Sequence, residues 1–105
     1  MVPLYTVSEY DTVLHGSDLP LFVQLEAEWC GNCHEVMPEL EAIAERYGGR
    51  LTVLRVDADK EPEIRDRYQI EGYPTYLFAE NGRVSASCLD PPGFGLERLV
   101  ELLLP

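Results

Sequence analysis

Positive charge is scarce in this chain. Of 105 residues only 8 are Lys or Arg, against 19 Asp or Glu, and Lys60 is the sole lysine. The formal net charge is −11. Binding to nucleic acid or to anionic membranes needs clustered cations that neutralise phosphates, so neither partner is expected. Long apolar runs are also missing, and no stretch approaches the roughly 20 residues of a membrane-spanning helix. The opening residues, Met1-Val2-Pro3-Leu4-Tyr5, carry neither the basic nor the apolar segment of an export signal, so a cytoplasmic protein is expected. With 3 cysteines the chain has too few for a disulfide scaffold, and a C-x-x-C pair in a reducing compartment is catalytic or metal-binding. Repeats, linkers and low-complexity segments are absent. Residues 1–105 are therefore read as one domain with one core, and a monomer is expected.

What is present is an alternation of apolar patterns. Leu4 to Val7 suits a short strand, and Ser8 suits the N-cap of a helix that runs to about His15 and stops at Gly16. Leu19 to Ala27 is nearly continuous in apolar residues, as expected of a central strand covered on both faces. Gln24 and Glu26 stand out within it, because buried polar groups need partners. The alternative for Glu26 is an exposed strand end.

From Gly31 to Tyr47, Val36, Leu40, Ile43, Ala44 and Tyr47 recur at helical spacing. Pro38 should kink this helix rather than end it, and Gly48-Gly49 should stop it. Leu51 to Val56 reads as an interior strand closed by Asp57. Pro62 opens a short helix through about Tyr68. Pro74 to Ala79 and Val84 to Cys88 read as two strands joined by a tight Asn81-Gly82 turn. Pro91-Pro92-Gly93 makes a rigid loop, and Leu96, Leu99, Val100 and Leu103 mark an amphipathic last helix. The order is β-α-β-α-β-α-β-β-α. This is an α/β chain with a mixed central sheet flanked by helices on both faces.

The chemistry lies in Trp29-Cys30-Gly31-Asn32-Cys33-His34. Residues i and i+3 share a helix face, so Cys30 and Cys33 can approach closely enough to form a disulfide. Unpaired N–H groups of a first helical turn stabilise a thiolate at Cys30, and a thiolate is the nucleophile of disulfide exchange. A dithiol–disulfide exchange site is the leading reading. The competing one is half of a zinc site completed by Cys88, His34 or His15, none of which falls at a second-pair spacing. His15 is better read as a cation near a helix C-terminus.

Taken together, these motifs closely resemble the thioredoxin family over essentially the whole chain. Ala27-Glu28-Trp29-Cys30-Gly31-Asn32-Cys33 is similar to its active-site motif, with Pro38 at its helix kink. Asp57-Ala58-Asp59 closes the third strand, Gly72-Tyr73-Pro74-Thr75 is similar to its cis-proline loop, and Asn81-Gly82 to its hairpin. The resemblance implies a thioredoxin fold and a protein-disulfide oxidoreductase without cofactor or metal. Cys30 would attack a substrate disulfide and Cys33 would resolve the mixed disulfide, leaving a redox-active Cys30–Cys33 bond. Trp29, Gly31, Asn32, Tyr73 and Pro74 would contact substrate, with the Tyr73 backbone pairing with an extended segment. Disulfides of cytoplasmic proteins would be the substrates, and a thioredoxin reductase the recycling partner.

Several positions depart from the family pattern. Asn32 stands where Pro is common, and that dipeptide tunes the reduction potential. Gln24 stands where a buried Asp commonly exchanges a proton with the resolving cysteine. Glu26 replaces a usual Trp and is a candidate substitute acceptor, since strand residues two apart share a face. Arg55 and His34 take places where Lys is frequent. Asp90-Pro91-Pro92-Gly93 replaces a Gly-containing loop of the docking surface, and Cys88 is expected to be a buried small residue. These departures leave open a disulfide isomerase or oxidant, or a non-enzymatic interaction module on the same scaffold.

Overall fold

Strand β2 (Leu21–Glu26) is the centre of the molecule, with all six residues buried in the computed structural model, which describes residues 1–105. Its apolar run is covered from both sides because it has a strand on each edge and helices on each face. Strand β3 (Thr52–Asp57) pairs with it in parallel, and β4 (Thr75–Glu80) antiparallel. Strand β1 (Leu4–Tyr5) adds to β3 in parallel, and β5 (Arg83–Leu89) adds to β4 antiparallel. The resulting five-stranded mixed sheet has the order β1-β3-β2-β4-β5.

Side chains alternate across a strand, so β2 supplies two cores. Leu21, Val23 and Leu25 pack with Leu54 and Val56 beneath α1 (Val7–Gly16) and α4 (Pro62–Tyr68), which contribute Tyr10, Leu14 and Ile64. On the opposite face Phe22 stacks on Tyr76 at 5.5 Å. That face is covered by α3 (Met37–Arg46) and α5 (Leu96–Leu103) through Leu40, Ile43, Leu96 and Val100. The remaining helix, α2 (Gly31–Glu35), leads into α3. No helix is long and apolar enough to cross a membrane.

Three local expectations are corrected. The first helix is capped by Thr6, not Ser8. The Thr6 hydroxyl accepts the Glu9 N–H at 3.1 Å, and the Glu9 carboxylate accepts the Thr6 N–H at 2.9 Å. This reciprocal box satisfies two orphan donors at once, and β1 ends early enough to allow it. The long helix through Pro38 is two segments with Val36 between them. Pro38 has no N–H to offer the turn before it. Even so, the chain keeps winding, because the Val36 N–H bonds to the Asn32 carbonyl at 3.2 Å and the Leu40 N–H to Val36 at 2.9 Å. Finally, Cys88 is half-buried rather than buried, because β5 is an edge strand that alternates exposed and half-covered residues.

The tight turn at Asn81-Gly82 is as expected. Both residues have positive φ, 55° and 80°, which suits a two-residue hairpin between Glu80 and Arg83.

Candidate redox site

The site is built where β2 ends and α2 begins. After Glu26 the chain turns, with the Cys30 N–H bonded to the Ala27 carbonyl at 3.1 Å. Cys30 is the N-cap of α2, and its sulfur accepts the Cys33 N–H at 3.1 Å. The two cysteines form a disulfide with their Cα atoms 5.3 Å apart. They are 5% and 2% exposed, Cys33 being the more enclosed. Gly31 and Asn32 lie exposed between them, and no atom comes within 4 Å of where a Gly31 Cβ would stand.

The Tyr73–Pro74 peptide bond is cis. Tyr73 packs on the small cluster of Ala27, Cys30 and Cys33, so the proline loop abuts the disulfide. Tyr73 precedes β4, and its N–H and C=O make no backbone hydrogen bond. Burial pushes its phenol above the usual tyrosine range.

Trp29 stands 69% exposed at the rim of the pair. Its ring meets Tyr73 edge-on at 5.6 Å, and its Nε1–H donates to the Asp59 carboxylate at 3.2 Å. Asp59 is held by the turn after β3, where the Asp57 carboxylate accepts the N–H groups of Asp59 and Lys60 at 3.1 and 3.0 Å. The Lys60 ammonium pairs with Glu28, holding that carboxyl below its ordinary range, and the Glu28 charge raises Lys60 in return. His34 Nε2 is 2.9 Å from the Glu28 carbonyl oxygen.

Glu26 is not at an exposed strand end; it is only 8% exposed. The sheet register sets Gln24 beside Arg55 on one side and Tyr76 on the other. From these positions a polar chain forms. The Tyr76 hydroxyl donates to Gln24 Oε1 at 2.9 Å, and Gln24 Nε2 donates to Glu26 Oε1 at 3.0 Å. Arg55 Nη1 donates to Glu26 Oε2 at 3.0 Å, and its Nε to the Val2 carbonyl at 3.2 Å. Every buried side-chain polar atom is satisfied. Burial, reinforced by Glu39, Asp90 and Glu26, drives the Tyr76 phenol far above its usual range. Gln24 also touches the Met37 sulfur at 3.9 Å, one turn beyond Cys33. Neither cysteine is hydrogen-bonded to Glu26 or to the rest of this chain of contacts.

The structure thus brings Trp29, Cys30, Cys33, Tyr73 and Pro74 together and sets Glu26 within a separate polar network. Asp59, Lys60 and Tyr76 were not read as site residues from the sequence. Asp59 carried a signal, since Asp57-Ala58-Asp59 closes β3 with two carboxylates. Tyr76 carried none until the register was known.

This sheet order, with a buried disulfide at the head of α2 and a cis-proline loop beside it, defines a thioredoxin-fold redox protein. The germline-specific thioredoxin Deadhead of Drosophila melanogaster superposes with a TM-score of 0.86 at 27% identity, covering 98% of this chain and 99% of that one. The sequence profile of the thioredoxin family matches residues 1–93, and the chain belongs to that family. Thioredoxin 1 of Chlorobaculum tepidum is 34% identical over 74 residues, 70% of this chain and 73% of that protein. The chloroplastic thioredoxin Y of Oryza sativa subsp. japonica is 37% identical over 78 residues, 74% of this chain. The match spans 46% of that relative, so this chain corresponds to about half of it.

Proposed function

We propose that this protein reduces disulfides of cytoplasmic proteins by dithiol–disulfide exchange. In the reduced state Cys30 is the nucleophile, stabilised as a thiolate by the Cys33 N–H that now points at its sulfur. The thiolate attacks one sulfur of the substrate disulfide, forming a mixed disulfide, and the other substrate sulfur leaves as a thiolate that takes a proton. Cys33 then loses its proton and attacks the Cys30 sulfur, releasing the second substrate thiol. Two electrons and two protons pass to the substrate, and the Cys30–Cys33 disulfide remains. A dithiol donor, for which a thioredoxin reductase is the natural class, restores the reduced pair.

The observation that carries this reading is the cysteine pair itself: a disulfide at a helix start, beside a backbone with open hydrogen-bonding groups at Tyr73. An extended substrate segment can add to Tyr73 as a short strand, with Pro74, Gly31 and Asn32 beside it and Trp29 covering its apolar side chains. Glu26, which makes no hydrogen bond to Cys33, is assigned the Cys33 proton through an intervening water. Supporting this are its burial at the end of β2 and the amide at Gln24, which cannot ionise.

The test uses the pre-reduced protein and a disulfide-linked peptide, without a recycling enzyme. Cys30→Ser should abolish thiol release, whereas Cys33→Ser should accumulate a mixed disulfide visible by mass. Full release by the Cys30→Ser protein would refute the assignment.

A further inference from the structure

We infer that two copies of this chain associate through the open edge of β5, pairing antiparallel into one continuous sheet. A monomer is expected from the sequence; the edge argues for a reversible dimer instead. Nothing in this depends on the exchange reaction proposed above.

β5 ends the sheet, so one side of its backbone has no strand beside it. The Asp90 N–H bonds to the Pro74 carbonyl at 2.8 Å, and bonding across an antiparallel pair recurs at every second residue. Cys88 and Ala86, opposite Tyr76 and Phe78, therefore bond inward to β4. The N–H and C=O groups of Ser87 and Leu89 point out of the sheet. Open edges are commonly protected by charge or proline. Val84 to Leu89 carry neither, although 26% of the chain is charged. Ser85 is the extra residue of a bulge, since Phe78 pairs with Ala86 and Ala79 with Val84. That bulge confines regular pairing to a short stretch around Ser87.

Apolar cover lies beside this edge. Ala86, Cys88, Leu99 and Leu103 line one narrow cleft between β5 and α5. Glu97 pairs with Arg46 and fastens the opposite flank of α5 to α3. Leu102 follows Leu99 by three residues, so it lies on the flank turned toward β5, and it is 59% exposed.

Charge selects the partner. Of 8 Lys and Arg residues all but Arg83 are engaged: Arg50 lies over the Tyr47 ring, and the others hold ion pairs. Arg83 is exposed at the start of β5, and Asp90, also exposed and outside any ion pair, follows its end. A strand with opposite charges at its two ends is complementary to its own reverse. With Ser87 opposite the partner's Ser87, Val84 stands opposite the partner's Asp90, one residue from Arg83. Two-fold symmetry forms this contact twice. Its axis is perpendicular to the sheet, so both α5 helices lie on one face with their Leu99 and Leu102 flanks turned toward each other. The 7 residues of β5 span only about 23 Å. Such a contact is smaller than the roughly 800 Å² per partner of a standard complex, and a weak dimer follows.

Sedimentation equilibrium in physiological salt, with reductant present, tests this. The screening length of about 8 Å damps the long-range repulsion of two −11 chains more than a contact pair. The wild-type mass should rise from 11.9 kDa toward twice that value between about 1 and 300 µM. Ser87→Pro removes an outward N–H and spares the β4 ladder, and it should weaken association at least about tenfold. Leu102→Glu should weaken it about fivefold. Arg83→Glu and Asp90→Lys should each associate about tenfold more weakly alone. Mixed in equal amounts, these two variants should recover wild-type association, because both contacts are again opposite in charge. If Ser87→Pro loses its fold by circular dichroism, the exposed charge variants decide. A wild-type protein of 11.9 kDa throughout would overturn the inference. So would a dimer that forms only without reductant, which is a Cys88 disulfide, or a mixture no tighter than either charge variant alone.

Discussion

The two faces of β2 differ in how they are filled. Toward α1 and α4 the strand presents Leu21, Val23 and Leu25, an apolar face from end to end. Toward α3 and α5 it presents Phe22, Gln24 and Glu26, and the interior grades from a stacked aromatic pair to a hydrogen-bonded polar chain. The gradient runs toward the cysteines. Burying polar groups costs stability unless each finds a partner, and here each does. One face therefore supplies cohesion. The other gives up part of its apolar filling to hold a carboxylate and a guanidinium at the redox end.

The comparison breaks most visibly on the apolar face. Leu25→Ala should cost about 3 kcal/mol by denaturant unfolding while leaving the pH dependence of exchange unchanged. On the polar face, Arg55→Met leaves the buried Glu26 without its counter-charge and should cost about 2–3 kcal/mol. The double variant Glu26→Leu/Arg55→Met should recover most of that loss, since a buried pair replaced by apolar groups is often neutral. Glu26→Gln should shift the pH dependence of the Cys33 step, as a merely structural carboxylate would not. A smaller effect is expected at Tyr76→Phe, about 1 kcal/mol for a buried hydrogen bond to Gln24.

The smallest effect lies at the rim of the apolar face. Arg67 clasps Asp11 through two hydrogen bonds and holds its carboxyl below the ordinary aspartate range, against a smaller desolvation effect. A depressed carboxyl stabilises the fold fully above its unfolded pKa of about 3.9, and that stabilisation fades as the pH falls through the lower folded value. The pair is partly exposed, so Asp11→Asn should cost less than about 1 kcal/mol at neutral pH. The difference from wild type should vanish in strong acid, which unfolding curves across pH would show.

The sequence made the apolar face legible and the polar face only half so. Consecutive apolar residues announced β2 as central, and Trp29-Cys30-Gly31-Asn32-Cys33 announced the redox pair, because both signals are local. Gln24 and Glu26 were conspicuous for the same reason. Their partners were not, because Arg55 and Tyr76 meet Gln24 only through strand register, a property of three distant segments at once. Ser8 was the expected cap, two residues past the observed one. The choice fell to Thr6, with Glu9 in place to complete the reciprocal bonds. Cys88 was expected to be buried as a small residue of the last strand, but an edge strand receives cover only in part.

The most direct measurement is the fraction of Cys30–Cys33 disulfide across defined redox buffers, read by thiol trapping. The expected result is one reversible two-electron couple in the reductive range, near the value of about −270 mV typical of thioredoxins, and lost in Cys30→Ser. A couple as oxidising as about −120 mV would contradict a reductase, and Asn32 would be the first residue to change. No reversible couple at all would contradict exchange at this pair.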